Sequence, residues 1–318
     1  MHKIKYQCTP SDINNRLDYV LKTVLLEYGT RAVKRLCEQG AVLVNDTPQT
    51  ARYKIQAHDV LTIFLQEIDT CNHDIHSILE TDNFLICYKE PFFHSEHQKG
   101  KNSLSMELLV HENINREYVL LNRLDFATSG ILVFAKNQHS AVQWKDWQSK
   151  QKIIKKYFAL VEGRILQNYV IKNKIIANTD KQVKISSEIG DRITHVHAFG
   201  INETCSLADC TIFQGARHQI RAHLAFLGYP LVGDKKYGAK TCDFTTLKTL
   251  LPLFEKKPSK KTTSLFPFEL DNYQKQSENF CLHHYAVNCP EFSAFVLPPY
   301  FNVLTNPLQN TILASYEP

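Results

Sequence analysis

The sequence predicts an α+β protein in two parts: a small N-terminal α/β module, and a larger domain built on a mixed, mostly antiparallel sheet. Three observations carry this expectation. The chain has 318 residues, about twice the length of a typical domain. Within the first 65 residues the hydrophobic periodicity changes from helical to alternating. From about residue 79 onward, short β-rich runs outnumber helical ones, spaced too irregularly for a repeat array or a strictly alternating strand–helix sheet.

The first helix is read from Ile13, Leu17, Val20, Leu21, Val24 and Leu25, which share one face behind Ser11, a residue type that caps helix N-termini. Thr30 then caps a second helix from Arg31 to Gln39, closed by Gly40, which takes the left-handed conformation without steric cost. Arg31, Lys34 and Arg35 share its exposed side. Three strands follow: Ala41 to Asn45, ending in a turn at Asn45-Asp46, then Thr50 to Ile55 and Val60 to Leu65. Residues 68–78 are polar and aperiodic, and read as a linker between a module at 1–67 and a domain at 79–318.

In that second domain, strands are expected at Phe84 to Tyr88, Tyr118 to Leu121, Ile131 to Ala135, Tyr157 to Val161, Thr194 to Phe199 and Leu207 to Phe213. Helices are expected at Ser140 to Gln148 and His218 to Leu227. A segment at about 239–280, with Lys256, Lys257, Lys260 and Lys261 near its middle, reads as a surface insertion.

Composition excludes several classes. Hydrophobic residues make up 43% and charged residues 22%, values of an ordinary folded chain rather than a disordered or collagen-like one. No apolar run approaches the roughly eighteen residues of a membrane helix, and the start lacks a signal-peptide core, so a cytoplasmic protein without membrane attachment is expected. Nine cysteines without a C-x-x-C pair fit a reducing compartment. The net charge of +5 permits a nucleic-acid partner without demanding one. Between Lys136 and Lys156, however, six lysines face one aspartate, an excess equal to that of the whole chain.

The stretch NRLDFATSGILVFAKN, from Asn122 to Asn137, places Asp125 on a polar, glycine-containing loop directly before an apolar strand. A scaffold can aim a carboxylate from such a place into a cleft, although an Asp before Thr-Ser-Gly is by itself usually a turn former. Tyr157 and Arg221 alone read as a strand aromatic and a helix-surface charge. His218 and His223 stand five apart and so do not share a helix face as i, i+4 metal ligands do. Cys281, His283, His284 and Cys289 read more simply as part of a closing strand. No metal or other cofactor is expected.

Two resemblances sharpen this reading. GTRAVKRLCEQGAVLVNDTPQTARYKIQAHDVLTI, within residues 11–65, resembles the S4-type RNA-binding module first described in a small-subunit ribosomal protein. That likeness implies an RNA-facing surface comprising Arg31, Lys34 and Arg35 of the second helix and Asn45 at the end of the next strand. The stretch around Asp125 resembles the central motif of the RluA-type pseudouridine synthases. KKYFALVEG at Lys155 to Gly163 and GARHQIRAHLAFLGYPLVGDKKYG at Gly215 to Gly238 resemble the second and third motifs. LHHYAVNCPEFSAFVLPPYF, from Leu282, resembles the closing strands.

The resemblance implies Asp125 as the essential catalytic residue, with Tyr157 and Arg221 beside it. It implies Arg123 as a side chain that fills the place of an extruded base; the alternative is that Arg123 contacts a phosphate or supports the loop. Chemistry makes these types reasonable. An ionised carboxylate serves either as nucleophile at the ribose C1′ or as base toward a glycal-like intermediate. A guanidinium holds it by an ion pair, and a phenol ring stacks on uracil. The Lys-rich segment ending in Lys155 and Lys156, with Trp144 and Trp147, would close on the RNA backbone.

Asn122 stands where the family usually has His, Ala216 where it has Arg, and Lys89-Glu90-Pro91-Phe92 departs from the usual Lys-Pro-x-Gly. The expectation is therefore a monomeric RNA pseudouridine synthase acting on structured RNA after base flipping, with ribosomal RNA preferred over tRNA. The rivals are a catalytically silent RNA-binding or ribosome-assembly protein and, less readily, a nucleoside or glycoside hydrolase.

Overall fold

The computed structural model describes residues 2–26, 28–65, 74–97, 103–176, 182–200, 203–240, 280–298 and 310. Most of the expected insertion and linker lies outside the described residues. The chain divides into two compact units: Met1–His73 with Glu96–Ile114, and Asp74–Ser95 with Asn115–Pro318.

The first unit contains β1 (His2–Gln7), α1 (Leu17–Val24), α2 (Thr30–Glu38), β2 (Val42–Val44), β3 (Thr47–Pro48), β4 (Val60–Leu65) and α3 (Met106–Asn113). Its sheet runs β1-β4-β2-β3, every pair antiparallel. Leu17, Val20 and Leu21 of α1 and Val33 and Leu36 of α2 bury against Val42, Val44, Leu61 and Ile63. This helical-to-alternating pattern is the one read from the sequence.

Two details differ. The helical face does not begin behind Ser11, because Asn14 has a φ of 66° and breaks the run; Thr9 and Asp12 instead close a short 3-10 turn over Pro10–Asp12. Nor is Thr50 to Ile55 a sheet strand. Its carbonyls accept the amides of Asn14, Leu17 and Asp18, so the segment lies along the entry of α1. Gly40 does close α2: with φ at 69°, its amide bonds Cys37 O while Ala41 N–H reaches back to Leu36 O.

The second unit is built on one ten-stranded sheet. Its strands are β5 (Ser77–Glu80), β6 (Phe84–Lys89), β7 (Val119–Leu120), β8 (Ser129–Ala135), β9 (Ile154–Glu162), β10 (Tyr169–Ile176), β11 (Lys184–Gly200), β12 (Cys205–Ile212), β13 (Leu282–Asn288) and β14 (Ser293–Phe295). Along the sheet they run β10-β11-β12-β9-β13-β8-β6-β5, with β14 on β13 and β7 on β8. Among the described residues only β13 with β8 is parallel, so the sheet is mixed and mostly antiparallel as expected. β5 takes in the last residues of the polar segment read as a linker.

Two helices, α4 (Gln138–Ser149) and α5 (Gln219–Phe226), accompany this sheet. Trp144 and Trp147 of α4 are buried with Phe84 and Phe292 and are core residues, not stacking platforms. A second cluster gathers Tyr157, Ala159 and Val161 of β9 with Ile220 and Leu224 of α5.

The join of β8 to β13 fixes Gly130. Its φ is 117°, and a Cβ there would lie 2.2 Å from the backbone oxygen of His284. Gly130→Ala is therefore expected to lower the unfolding free energy by about 3 kcal/mol or more, because backbone rather than a flexible side chain would have to yield. Chemical denaturation checks this; a variant within about 0.5 kcal/mol of wild type would contradict the close approach.

Candidate active site

All three residues singled out for catalysis lie in the second unit, and the structure brings them together. Asp125 sits on the loop that feeds β8, a strand buried on both faces. The loop is fastened at several points. Asn122 donates from Nδ2 to Ile131 O at 3.1 Å and accepts Val133 N–H at 2.8 Å. Ser95 Oγ makes two 2.9 Å bonds with the backbone of Leu124, donating to its carbonyl and accepting its amide.

Lys89, fully buried at the end of β6, donates to the carbonyls of Glu90 and Phe93 at 2.8 Å and of Phe126 at 3.2 Å. Burial draws this ammonium down to about 7 against the opposing pull of the Asp125 and Glu90 charges. Asp125 is thus pinned at the residues before and after it. Its own side chain stays 22% exposed.

Arg221 projects from α5 and is 1% exposed. Its Nη1 donates to Asp125 Oδ2 at 2.9 Å, while Nε and Nη2 grip Asp234 bidentately at 2.7 and 2.9 Å. The guanidinium carbon lies 4.0 Å from the Phe280 ring centroid and 5.1 Å from that of Tyr237. Burial alone would weaken the cation, but hydrogen bonds and charge from the two carboxylates outweigh it and raise the guanidinium above its ordinary value. One cation therefore serves two carboxylates, using the planar fork that Lys lacks.

Tyr157, on β9, is buried with its ring stacked on His284 at 4.4 Å between centroids and 16° between planes. Burial first, and the charge of Asp125 second, push its phenol up, so it keeps its proton. His284 donates from Nδ1 to Ile131 O at 2.7 Å, and burial lowers its ring to about 3, which keeps it neutral. His218, just before α5, places Nε2 3.8 Å from Asp125 Oδ1.

Other expected contacts fall differently. Arg123 is exposed two residues before Asp125. On α2, Lys34 is exposed and Arg35 half-buried; Arg31 lies in the helix, its side chain outside the described residues. Lys156 is half-buried.

Asn45 is exposed at a turn in which its own φ is 48°; its Nδ2 donates to Asp59 Oδ1 at 2.7 Å and its Oδ1 accepts Val60 N–H at 2.9 Å. One assignment needs correction. Lys155 is not a surface cation: it is 5% exposed, with Nζ 6.0 Å from the Trp144 ring centroid.

The two histidines considered as metal ligands are occupied otherwise. His223 is bonded to Thr194 Oγ1 and Asn173 O, and His218 to Tyr237. His283, from the C-terminal cluster, lies between Ser129 Oγ and Val296 O. Sequence reasoning misses Asp234, Lys89, Ser95 and Tyr237. Asp234 and Tyr237 stand within the third motif, and Lys89 opens the irregular Lys89-Glu90-Pro91-Phe92 stretch, but nothing local marks any of them as buried partners.

A carboxylate, a guanidinium and a protonated phenol converging at the entry of a buried central strand define a site for nucleophilic or acid–base chemistry. The comparisons give the class its name. Residues 83–226 match the RNA pseudouridylate synthase family, and residues 15–61 match the S4 domain.

A ribosomal large subunit pseudouridine synthase D from Buchnera aphidicola subsp. Baizongia pistaciae is 30% identical over 266 residues, which cover 77% of this chain and 82% of that protein. A ribosomal large subunit pseudouridine synthase C from Rickettsia typhi is 28% identical over 252 residues, covering 71% and 82%. The solved structure of human RNA pseudouridylate synthase domain containing 1 shares the fold, with a TM-score of 0.51 and 18% identity, covering 80% of this chain and 99% of that one. The chain belongs to the RluA-type RNA pseudouridine synthase family and carries an N-terminal S4 domain.

Proposed function

We propose that this enzyme isomerises uridines in structured RNA, large-subunit ribosomal RNA before tRNA, with Asp125 as the group that acts at the sugar. The observation that carries this is the asymmetric setting of the carboxylate: Arg221 donates to Oδ2 at 2.9 Å, whereas Oδ1 faces His218 Nε2 at 3.8 Å. The relatives named for the large ribosomal subunit support the choice of RNA.

The reaction breaks the bond from C1′ to uracil N1, turns the freed base, joins C5 to C1′ and removes the C5 proton. The electron pair of the broken bond goes to the uracil and returns when C5 attacks, so no external reductant, oxidant or group donor enters. Asp125 serves as nucleophile at C1′ or as base toward a glycal, and either role uses its ionised form. Arg221 orients it. Tyr157 supplies a ring against the uracil and a hydroxyl near the proton that must leave.

A stacked uridine must be extruded for this, at a cost of a few kcal/mol, and Arg123, exposed two residues before Asp125, occupies the space it leaves. A division into module, linker and catalytic domain at about 67 and 79 suits these tasks, in a cytoplasmic monomer without membrane attachment.

Transcripts of large-subunit ribosomal RNA and of tRNA, labelled with tritium at uracil C5, test the substrate. Release at least about tenfold faster from the ribosomal RNA is expected; the reverse order would move the assignment to tRNA. The S4 domain is tested separately. Neutralising Arg31, Lys34 and Arg35 is expected to weaken binding of all RNAs alike and to flatten the salt slope by about one for each phosphate no longer neutralised. Unchanged affinity and slope would remove these residues from the RNA surface.

A further inference from the structure

We propose that His218 is a catalytic residue, a neutral imidazole whose Nε2–H donates to the uracil O2 as the bond from C1′ to N1 breaks. The inference rests on the isomerase reading above and goes beyond it, because the roles given to Asp125, Tyr157 and Arg221 leave this side chain without one.

The tautomer turns on the bonds around Tyr237. That hydroxyl accepts Val183 N–H at 3.1 Å and lies 2.8 Å from His218 Nδ1. Burial raises the phenol, which keeps its proton. In the tautomer the proposal requires, the Tyr237 hydroxyl donates to Nδ1, its one acceptor among the described residues, and the ring hydrogen sits on Nε2. The ring stays neutral: burial lowers it to about 4, the charges of Arg221, Lys236 and Arg217 push the same way, and only Asp125 opposes them.

Position supplies the rest. Nε2 lies 3.8 Å from Asp125 Oδ1, the oxygen that accepts no hydrogen bond from Arg221, too far for a good hydrogen bond of its own, so both atoms can face a substrate placed beside them. When Oδ1 approaches C1′, uracil O2, one carbon away from N1, comes within reach of this donor. The electron pair leaving C1′ passes into the ring and loads O2 with negative charge. A neutral imidazole polarises such an oxygen without pairing with, and quenching, the carboxylate beside it. His218 has φ of 54° and ψ of 22°, a left-handed conformation uncommon outside glycine, at the start of α5 and three residues before Arg221.

Three variants and one spectrum test the proposal. His218→Asn tolerates the left-handed backbone but ends short of Nε2; single-turnover tritium release is expected to fall about 100-fold while RNA affinity stays within about twofold. His218→Gln, whose amide nitrogen reaches the Nε2 position, is expected to return to within about tenfold of wild type. Tyr237→Phe keeps the ring over Arg221 and is expected to fall between them. Imidazole nitrogen NMR of the free wild-type protein is expected to show protonated Nε2 and bare Nδ1 at neutral pH, becoming a tautomer mixture in Tyr237→Phe.

Wild-type rates in His218→Asn, equal losses in the Asn and Gln variants, or a proton on Nδ1 would each overturn the role. Release by the wild-type protein is the control. Its absence sinks the isomerase reading, whereas release that persists unchanged in His218→Asn sinks this inference alone.

Discussion

Asp125→Asn protein is expected to release tritium from C5-labelled RNA on the order of 10⁴-fold more slowly than wild type, and to bind the same RNA within about threefold. The substitution is nearly isosteric and keeps an oxygen for Arg221 Nη1, so the loop geometry around position 125 survives: Asn122, Ser95 and Lys89 hold it from the backbone and do not depend on the carboxylate. What disappears is the charge. An amide neither attacks C1′ nor takes a proton in the working pH range, so the loss belongs to kcat and not to binding. Substantial release by this variant would mean that another group carries the chemistry.

Arg221→Met is expected to be the most damaging single change to folding. It leaves Asp234, 2% exposed and gripped at 2.7 and 2.9 Å, without its counter-charge, a loss of about 3–5 kcal/mol for breaking a buried ion pair from one side. Activity falls with it, since Asp125 loses its 2.9 Å partner. The double variant Arg221→Met with Asp234→Leu separates the two effects. Removing both buried charges is expected to restore most of the stability, because a buried pair replaced by apolar groups is often close to neutral, while the rate stays down. Arg221→Lys is expected to lie near the Met variant, since a single nitrogen lacks the planar fork that grips Asp234 bidentately while a third N–H reaches Asp125. Denaturation midpoints and single-turnover rates, measured on the same preparations, check this. Recovery of activity in the double variant would show that Arg221 matters only for folding.

Much of this site is legible in the sequence because its three principal residues sit in stretches whose neighbouring letters are themselves constrained. Asp125 precedes a fully buried strand, Tyr157 lies on the apolar strand β9, and Arg221 opens the inward face of α5. The buried partners are not legible. Asp234 and Lys89 are charged residues whose burial depends on partner groups 13 and up to 37 positions away, and no periodicity records that.

The strands that hydrophobic patterning overlooks have a physical reason too. β10 and the first part of β11 lie at the edge of the sheet, where exposed Lys172, Lys174 and Lys184 dilute the apolar signal. β1 carries only Ile4 and Tyr6 toward the core of its unit. Conversely, Lys155 reads as outward because residues of its type usually are; the alternation of β9 puts it on the same face as Tyr157.

That Asp125 meets the sugar of an extruded uridine is tested most directly by a structure of the Asp125→Asn protein bound to its RNA. One uridine is expected to be swung out of the helix, with its ring against Tyr157 and its C1′ within about 3.5 Å of the side chain at position 125, as a near-attack geometry requires. A uridine still stacked in its helix, or an extruded base seated away from position 125, would show that the carboxylate does not act at the sugar.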